Sequence, residues 1–216
     1  MIVVVGNPTL VLAEPRPRAG GLAVGVAAAA AAAGADVQLV GKIGDDAAGG
    51  AALLDLAARN VGHVAVLRDP SQPTPETAEP SVADAAPFDE SNGAPPPASH
   101  AEAPRLEPAD IELALRYLPD YRVLVVADAL AGASLEVAVA ASRWSGAALV
   151  VVVPQGSEPP ALNPDDTVLE APDGDPDGAF ASVVGAYAAA LDRGEEPAEA
   201  FATASQGAGW AAAAAD

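Results

Sequence analysis

Residues 20–61 decide the fold class and run GGLAVGVAAAAAAAGADVQLVGKIGDDAAGGAALLDLAARNV. Two glycines open an alanine-rich run, which predicts a helix that ends at Gly34, because glycine is common just beyond a helix C-terminus. Residues 37–40 (VQLV) predict a strand ending at Gly41, and a second helix follows over about 46–60. A helix, a strand and a helix in succession favour a parallel sheet covered by helices.

The same alternation extends through the rest of the chain. Apolar, mostly β-branched runs predict further strands at residues 2–5, 64–67, 123–127, 148–153 and 167–169. Helices are expected at residues 111–118, 134–144 (with Ser134 as N-cap), 178–192 and 197–214. We therefore expect a single α/β domain over residues 1–216, a three-layer α/β/α sandwich with a mainly parallel sheet. Ligands of such sheets bind at the carboxyl ends of the strands.

Residues 69–108 interrupt the alternation. They are rich in Pro, Ala, Asp, Glu and Ser, and three consecutive prolines at 95–97 exclude a helix there. This composition predicts a surface loop, and a rudimentary lid over a pocket is the alternative.

The composition argues against several function classes. The chain has only 10 Lys and Arg but 30 Asp and Glu. The resulting net charge of −20 argues against nucleic acid and anionic membranes as partners. The absence of Cys rules out a disulfide framework, a thiolate zinc site and a cysteine nucleophile. His63 and His100 stand alone and support no metal site. The start MIVVVG lacks the charged region of an export signal and the apolar run at 22–33 is too short to span a bilayer, so we expect a soluble, cytoplasmic protein.

Two segments carry a resemblance to a known family. Within residues 20–61, the glycine pair and alanine-rich helix precede a G-x-x-G-D-D-x-x-G run formed by Gly41, Gly44, Asp45, Asp46 and Gly49. Residues 173–211, DGDPDGAFASVVGAYAAALDRGEEPAEAFATASQGAGWA, are similar to a C-terminal signature in which a D-T-x-G-A-G-D stretch opens a long helix. Together and in this order, the segments resemble the ribokinase-like carbohydrate kinases, also called the phosphofructokinase-B family.

The resemblance implies a reduced ribokinase-like fold and a substrate site. It implies ATP-dependent transfer of phosphate to a carbohydrate hydroxyl, with ATP and magnesium as cofactors and a sugar or nucleoside as substrate. By their place in the motifs, the implied substrate-binding residues are Gly20, Gly21, Asp45 and Asp46. Judged from the residues alone, the glycines are equally suited to close packing of the helix, and the aspartates to capping of the helix that follows.

The start of the helix at 178–192 decides whether phosphoryl transfer is feasible. The resemblance implies backbone N–H groups at a helix N-terminus that hold phosphate, with Gly174 and Gly178 at the nucleotide. It implies Asp177 as general base if one residue is inserted, whereas an ungapped match places Gly178 there. Asp175 and Pro176 damage the site, because a carboxylate repels phosphate and proline has no N–H. No Lys or Arg lies nearby in sequence to compensate.

Two other interpretations of these aspartates stay open. Asp173, Asp175 and Asp177 are suited to capping the helix and complementing its dipole. With Gly178 they also match the first half of a D-x-D-x-D-G calcium loop, although Val184 stands where that loop needs a glutamate.

Further departures from the family pattern point to lost chemistry. The chain is shorter than typical family members and passes from Val153 almost directly to the C-terminal signature. The resemblance implies further strands, an acidic magnesium motif and nucleotide-binding loops in that place. The resemblance implies a sugar-binding aspartate after the first strand, but Gly6, Asn7 and Pro8 stand there, and Gly25 stands where the family has an asparagine.

Three isolated large side chains are expected to have ordinary structural roles. Lys42, the only lysine, is predicted to be a solvated residue at a strand end. Trp144 and Trp210 are predicted to fill gaps in an alanine-rich core.

Three functional hypotheses follow. The first is a sugar-kinase-like protein whose phosphoryl transfer is impaired or lost. The second is an active carbohydrate or nucleoside kinase with Asp177 as base. The third is a non-catalytic binding or assembly scaffold, and the small-residue faces of the last two predicted helices allow a homodimer.

Overall fold

The computed structural model describes residues 1–78, 104–130 and 132–207. Within these ranges the chain forms nine strands and six helices. The predictions for residues 79–103, His100 and Trp210 lie outside the described residues, as does the end of the helix predicted at 197–214.

A six-stranded parallel sheet forms the centre of the molecule. Its strands, in spatial order, are β5 (Gly62–Asp69), β4 (Val37–Gly44), β1 (Ile2–Val5), β7 (Val123–Val126), β8 (Ala148–Pro154) and β9 (Thr167–Ala171). Every pairing in this sheet is parallel. The mainly parallel sheet predicted from the sequence is therefore confirmed, with the first strand of the chain in its middle.

Helices cover both faces of this sheet and complete the three layers. On one face lie α1 (Leu22–Ala32), α2 (Ala47–Ala58), α5 (Ala179–Asp192) and α6 (Pro197–Gly207). On the other face lie α3 (Pro108–Tyr117) and α4 (Gly132–Ser145). Successive residues of a strand point to opposite faces, so Ile2 and Val4 enter the first core and Val3 and Val5 the second. Among the described residues, no helix combines the length and the apolar character needed to cross a membrane.

A second sheet of three short strands accompanies the first. Its order is β3 (Arg18–Gly20), β2 (Thr9–Leu12) and β6 (Glu76–Ala78). β2 pairs antiparallel with β3 and parallel with β6. The sequence pattern does not predict these strands, because each is only three or four residues long and β6 is remote in the chain from its partner.

Three local predictions are wrong. β4 runs on to Gly44, beyond its predicted end. Ser134 does not cap α4, which begins at Gly132; its hydroxyl instead donates to the carbonyl oxygen of Leu106 at 3.0 Å. Trp144 fills no gap in the core, since it lies near the end of α4 with 94% of its surface exposed.

The prediction for Lys42 is also wrong, because this residue is not a solvated strand end. It lies inside β4, and its side chain is only 16% exposed. Its ammonium group lies 2.9 Å from Asp110 in α3 and 3.9 Å from Asp69 at the end of β5. The hydrogen bond to Asp110 raises the pKa of Lys42, and the neighbouring carboxylates add to this against the opposing effect of burial. Lys42 therefore ties the sheet to α3.

α1 and α5 approach so closely that glycine is required where they meet. A Cβ atom on Gly185 would lie 2.6 Å from the carbonyl oxygen of Val26 and 2.8 Å from the amide nitrogen of Ala30. A Cβ atom on Gly25 would lie 2.8 Å from the Cβ of Ala181. Gly25 therefore serves the close packing of α1 against α5.

Gly185→Ala should lower the free energy of unfolding by about 1–3 kcal/mol, because the added methyl group overlaps backbone atoms of α1. Gly50→Ala in α2 is the matched control. Nothing lies within 4 Å of its Cβ position, so the higher helix propensity of alanine should stabilise the protein by about 0.5–1 kcal/mol. Urea unfolding followed by circular dichroism measures both changes. Unchanged stability of Gly185→Ala would contradict the close contact.

Candidate ligand-binding site

A cavity of about 780 Å³ lies where β3, the start of α1 and the start of α5 come together. The residues predicted for the site that line it are Gly20, Gly21, Gly174, Asp177 and Gly178. The two segments that carry the family resemblance thus contribute to one cavity. Asp45 and Asp46, which were predicted for the same site, do not line it.

Asp175 occupies the N-terminus of α5. Its two carboxylate oxygens accept hydrogen bonds from the amide groups of Phe180 (3.0 Å) and Ala181 (2.9 Å). Its carbonyl oxygen accepts a third from the amide of Gly178 at 3.1 Å. A helix start leaves four backbone N–H groups without an intrahelical partner, and this one residue satisfies three of them. The capping interpretation is therefore right for Asp175.

Asp177 lines the cavity, is exposed and takes no part in the cap. Within the described residues, its carboxylate accepts no hydrogen bond and forms no ion pair, and the same holds for Asp173. Gly178 follows with φ 67°, in the left-handed region that favours glycine. A carboxylate without a protein partner is available to accept hydrogen bonds from a ligand.

The opposite side of the cavity is formed by the glycine pair. Gly20 ends β3, and a side chain on it would overlap Val11 of β2. Gly21 is the N-cap of α1, with φ 92° and no side-chain hydrogen bond from it to the helix. The absence of side chains at both positions leaves backbone atoms accessible at this side of the cavity.

Two arginines line the same cavity, a feature that sequence order does not reveal. Arg18 belongs to β3, and Arg59 is the C-cap of α2. Arg59 lies 2.7 Å from a carboxylate oxygen of Asp55, which also accepts the amide of Ala19 at 2.8 Å. The sequence does not indicate these cations at the site, because both are remote in the chain from the acidic loop that precedes α5.

The two aspartates that follow β4 form structural contacts away from the cavity. Asp46 caps α2: its carboxylate accepts the amide of Gly49 at 2.7 Å, and the hydroxyl and amide of Thr74 at 2.7 and 2.8 Å. The hydrogen bond from Gly49, followed by those from Thr74, lowers the pKa of Asp46. Asp45 is exposed and pairs with Arg68 at 3.1 Å. The capping interpretation is confirmed for Asp46.

Asn7 lies just after β1, and both polar atoms of its side chain are engaged. Its Oδ1 accepts the amide of Lys42 at 2.8 Å, and its Nδ2 donates to the carbonyl oxygen of Pro104 at 2.6 Å. Its own amide donates to Asp128, just beyond β7, at 3.2 Å. Asn7 therefore joins β4 to the chain before α3.

The described residues contain no group of three or more acidic or histidine side chains placed to hold a metal ion. In a calcium loop, Asp173, Asp175 and Asp177 would supply oxygens to one ion. The carboxylate of Asp175 is instead committed to the amides of α5. The geometry gives the calcium interpretation no support.

Comparison with protein families supports the resemblance in the first part of the chain. Residues 6–84 match the model of the pfkB family carbohydrate kinases. This match covers somewhat more than a third of the chain and includes the glycine pair and the G-x-x-G-D-D-x-x-G run. No curated protein sequence matches the chain significantly.

Solved structures extend the likeness to the fold. A protein named Sa239 superposes with a TM-score of 0.69 at 12% identity, over 96% of this chain and 92% of its own. A candidate ribokinase II from E. coli, solved with ATP and Mg²⁺, superposes with a TM-score of 0.66 at 14% identity, over 94% of this chain and 89% of its own. The fold is ribokinase-like. Together with the family match, it confirms the resemblance to the phosphofructokinase-B carbohydrate kinases.

Other kinases of known structure match this chain over only part of their length. A 2-dehydro-3-deoxygluconokinase from Thermotoga maritima superposes with a TM-score of 0.52 at 18% identity, over 70% of this chain. The match spans 50% of the Thermotoga enzyme. At such identities the likeness concerns the fold alone.

Asp46→Ala should cost about 1–2 kcal/mol of folding free energy at pH 7, because it removes the cap of α2. The folded state lowers the pKa of Asp46, so the stabilisation is present above the unfolded value of 3.8 and is lost as the pH falls through the folded pKa. The cost of the substitution should therefore shrink below about pH 4. Denaturant unfolding at several pH values measures the change in the free energy of unfolding that Asp46→Ala causes. The control is Asp45→Ala, which removes an exposed ion pair and should cost less than about 0.5 kcal/mol. A cost for Asp46→Ala that does not change with pH would contradict the assignment of Asp46 as the cap of α2.

Proposed function

We propose that the protein is a carbohydrate-binding, sugar-kinase-like protein in which ATP-dependent phosphoryl transfer is impaired or lost. The observation that carries the proposal is the carboxylate of Asp175 at the start of α5. A phosphoryl-transfer site of this kind needs backbone N–H groups at a helix N-terminus to hold phosphate oxygens. Here the N–H groups of Phe180 and Ala181 are already bonded to an anion of the protein itself.

The residues before α5 do not fit a triphosphate. A phosphate oxygen about 4 Å from the Asp175 carboxylate would be repelled by about 4 kcal/mol at an effective dielectric constant of about 20. Pro176 adds no donor, because its nitrogen carries no hydrogen. ATP and magnesium are therefore expected as cofactors only if the carboxylate of Asp175 leaves the helix start.

The other features of the cavity support binding of a sugar or nucleoside. Gly20 and Gly21 expose backbone atoms on one side, and Asp177 presents on the other a carboxylate that has no partner among the described residues. Carboxylates accept hydrogen bonds from hydroxyl groups, which a carbohydrate carries in number. The volume of about 780 Å³ lies within the usual range for small-molecule sites.

The wild-type protein should show no measurable ATP-dependent phosphorylation of ribose, fructose 6-phosphate or adenosine, and ATP with Mg²⁺ should not raise its melting temperature. Asp175→Ser keeps an oxygen that can cap α5 but removes the negative charge. It should therefore bind ATP at least about tenfold more tightly than the wild type. Asp36→Ser, which removes the same charge from an exposed position outside the cavity, is the control and should leave ATP binding unchanged. Thermal shift and a coupled assay of ADP release provide the two readouts.

An active carbohydrate or nucleoside kinase with Asp177 as general base is the second candidate. The carboxylate of Asp177 favours it, because it is exposed at the cavity and bonds to none of the residues that the structure describes. Wild-type turnover that disappears in Asp177→Asn would establish this kinase and overturn the proposal. A scaffold without a ligand would be indicated if no sugar, nucleoside or nucleotide stabilised the protein.

A further inference from the structure

The two most exposed aromatic side chains among the described residues lie on neighbouring helices. Trp144 near the end of α4 is 94% exposed, and Tyr117 at the end of α3 is 76% exposed. Val137 and Ala140 lie on the same side of α4, about two turns and one turn before Trp144. Leu113, one turn before Tyr117, is also exposed. Exposed apolar surface of this kind marks sites of interaction with other proteins.

The fold brings the ends of the two helices to one edge of the central sheet. α3 leads into β7 and α4 into β8, and these two strands are neighbours. The carbonyl oxygen of Arg122, just before β7, accepts the amide of Ala148 at the start of β8 at 2.9 Å. Tyr117, Arg122, Arg143 and Trp144 therefore lie at the same end of the molecule. We call these four residues the aromatic–arginine surface.

Two arginines of this surface have no protein partner among the described residues. Arg122 and Arg143 are exposed, and within residues 1–78, 104–130 and 132–207 neither side chain forms an ion pair or a hydrogen bond. This is unexpected in a chain with 30 Asp and Glu but only 10 Lys and Arg. Of the nearby carboxylates, Glu112 is bonded to Arg116 at 2.7 Å, and Asp120 is the other. Three arginines therefore meet two carboxylates at this end.

Carboxylates farther away do not neutralise the surface. Glu136 lies about two turns before Arg143 in α4, and Asp36 precedes β4, two strands away from Arg122. Each separation is about 10 Å along the backbone framework. Salt at about 0.1 M screens exposed charges over the same distance of about 10 Å. The end of the molecule at Trp144 is therefore locally positive, although the net charge of the chain is −20.

This combination of side chains favours an acidic protein segment over other occupants. Trp, Tyr and Arg are the residues that carry most of the binding energy in protein interfaces, and a guanidinium group binds a carboxylate through two parallel hydrogen bonds. A net charge of −20 repels nucleic acid and anionic membranes. A second copy related by a two-fold axis through the surface would bring the same arginines of both copies together.

We propose that the aromatic–arginine surface binds an acidic segment of another protein that also carries apolar side chains. Trp144 and Tyr117 cover the apolar side chains of this segment, and Arg122 and Arg143 bind its carboxylates. The surface lies on the opposite face of the sheet from α1 and α5, which border the ligand cavity. The inference is therefore independent of what the cavity binds.

Fluorescence anisotropy of labelled peptides tests the inference. The probe is a synthetic peptide in which pairs of glutamates alternate with leucine and phenylalanine, and the comparison is the same peptide with lysine for glutamate. Trp144→Ala should weaken the glutamate peptide at least about tenfold. It should not change binding of the lysine peptide, which the acidic remainder of the molecule attracts. Arg143→Glu should weaken the glutamate peptide at least about tenfold and strengthen the lysine peptide.

Two variants are matched controls. Leu54→Ala removes another exposed apolar side chain, from α2 on the opposite face, and Arg16→Ala removes an exposed arginine that has no ion pair among the described residues. Both should bind the glutamate peptide as the wild type does. Because Trp144 is almost fully exposed, Trp144→Ala should keep the wild-type melting temperature. Tyr117→Ala is a second test and should weaken the glutamate peptide about threefold or more.

Four results would overturn the inference. They are no binding of the glutamate peptide, equal binding by Trp144→Ala and the wild type, a dimer in sedimentation that Trp144→Ala separates, and binding to phosphatidylserine vesicles that requires Trp144. The third would assign the surface to a second copy of this chain, and the fourth to a membrane.

Discussion

The close contact between α1 and α5 is the constraint on which the rest of the structure depends. Gly185 lets the backbone of α5 approach Val26 and Ala30, and Gly25 meets Ala181 near the starts of the two helices. Because the helices begin side by side, the glycine pair before α1 and the acidic loop before α5 border the same cavity. Small side chains bury little area each, but they allow a short distance between helices, at which dispersion forces between many atoms add up.

The start of α5 shows that stability and chemistry can compete for the same atoms. The carboxylate of Asp175 satisfies N–H groups that would otherwise lack partners, and such a cap contributes about 1 kcal/mol. A phosphate site at the same place would need those N–H groups for a bound anion. Asn7 is a parallel case, since both polar atoms of its side chain are used to join β4 to the chain before α3. At both positions, polar groups that could contact a ligand instead form hydrogen bonds within the protein.

The parallel sheet and its helices were predictable because β1, β7 and β8 are buried on both faces and therefore appear as continuous apolar runs. The second sheet was not predictable, because three-residue strands carry no periodic pattern and their pairing depends on distant residues. Which of three neighbouring aspartates caps α5 depends on the path of the loop, which spacing alone does not encode. The presence of Arg59 in the cavity likewise depends on the packing of whole elements. The single domain over 1–216, the lid at 69–108, the homodimer and the cytoplasmic location stay predictions.

The cavity is assembled from segments near opposite ends of the chain, residues 18–29 on one side and residues 171–182 on the other. Such an arrangement has a high contact order, because a long loop must close before the two sides meet. The β1–β4 pair and the helix between them can form from a short stretch of chain, well before the cavity exists. A truncated or partly folded product could therefore retain much of the normal circular dichroism signal while lacking the site altogether, which makes ligand recognition a stricter measure of complete folding than helix content.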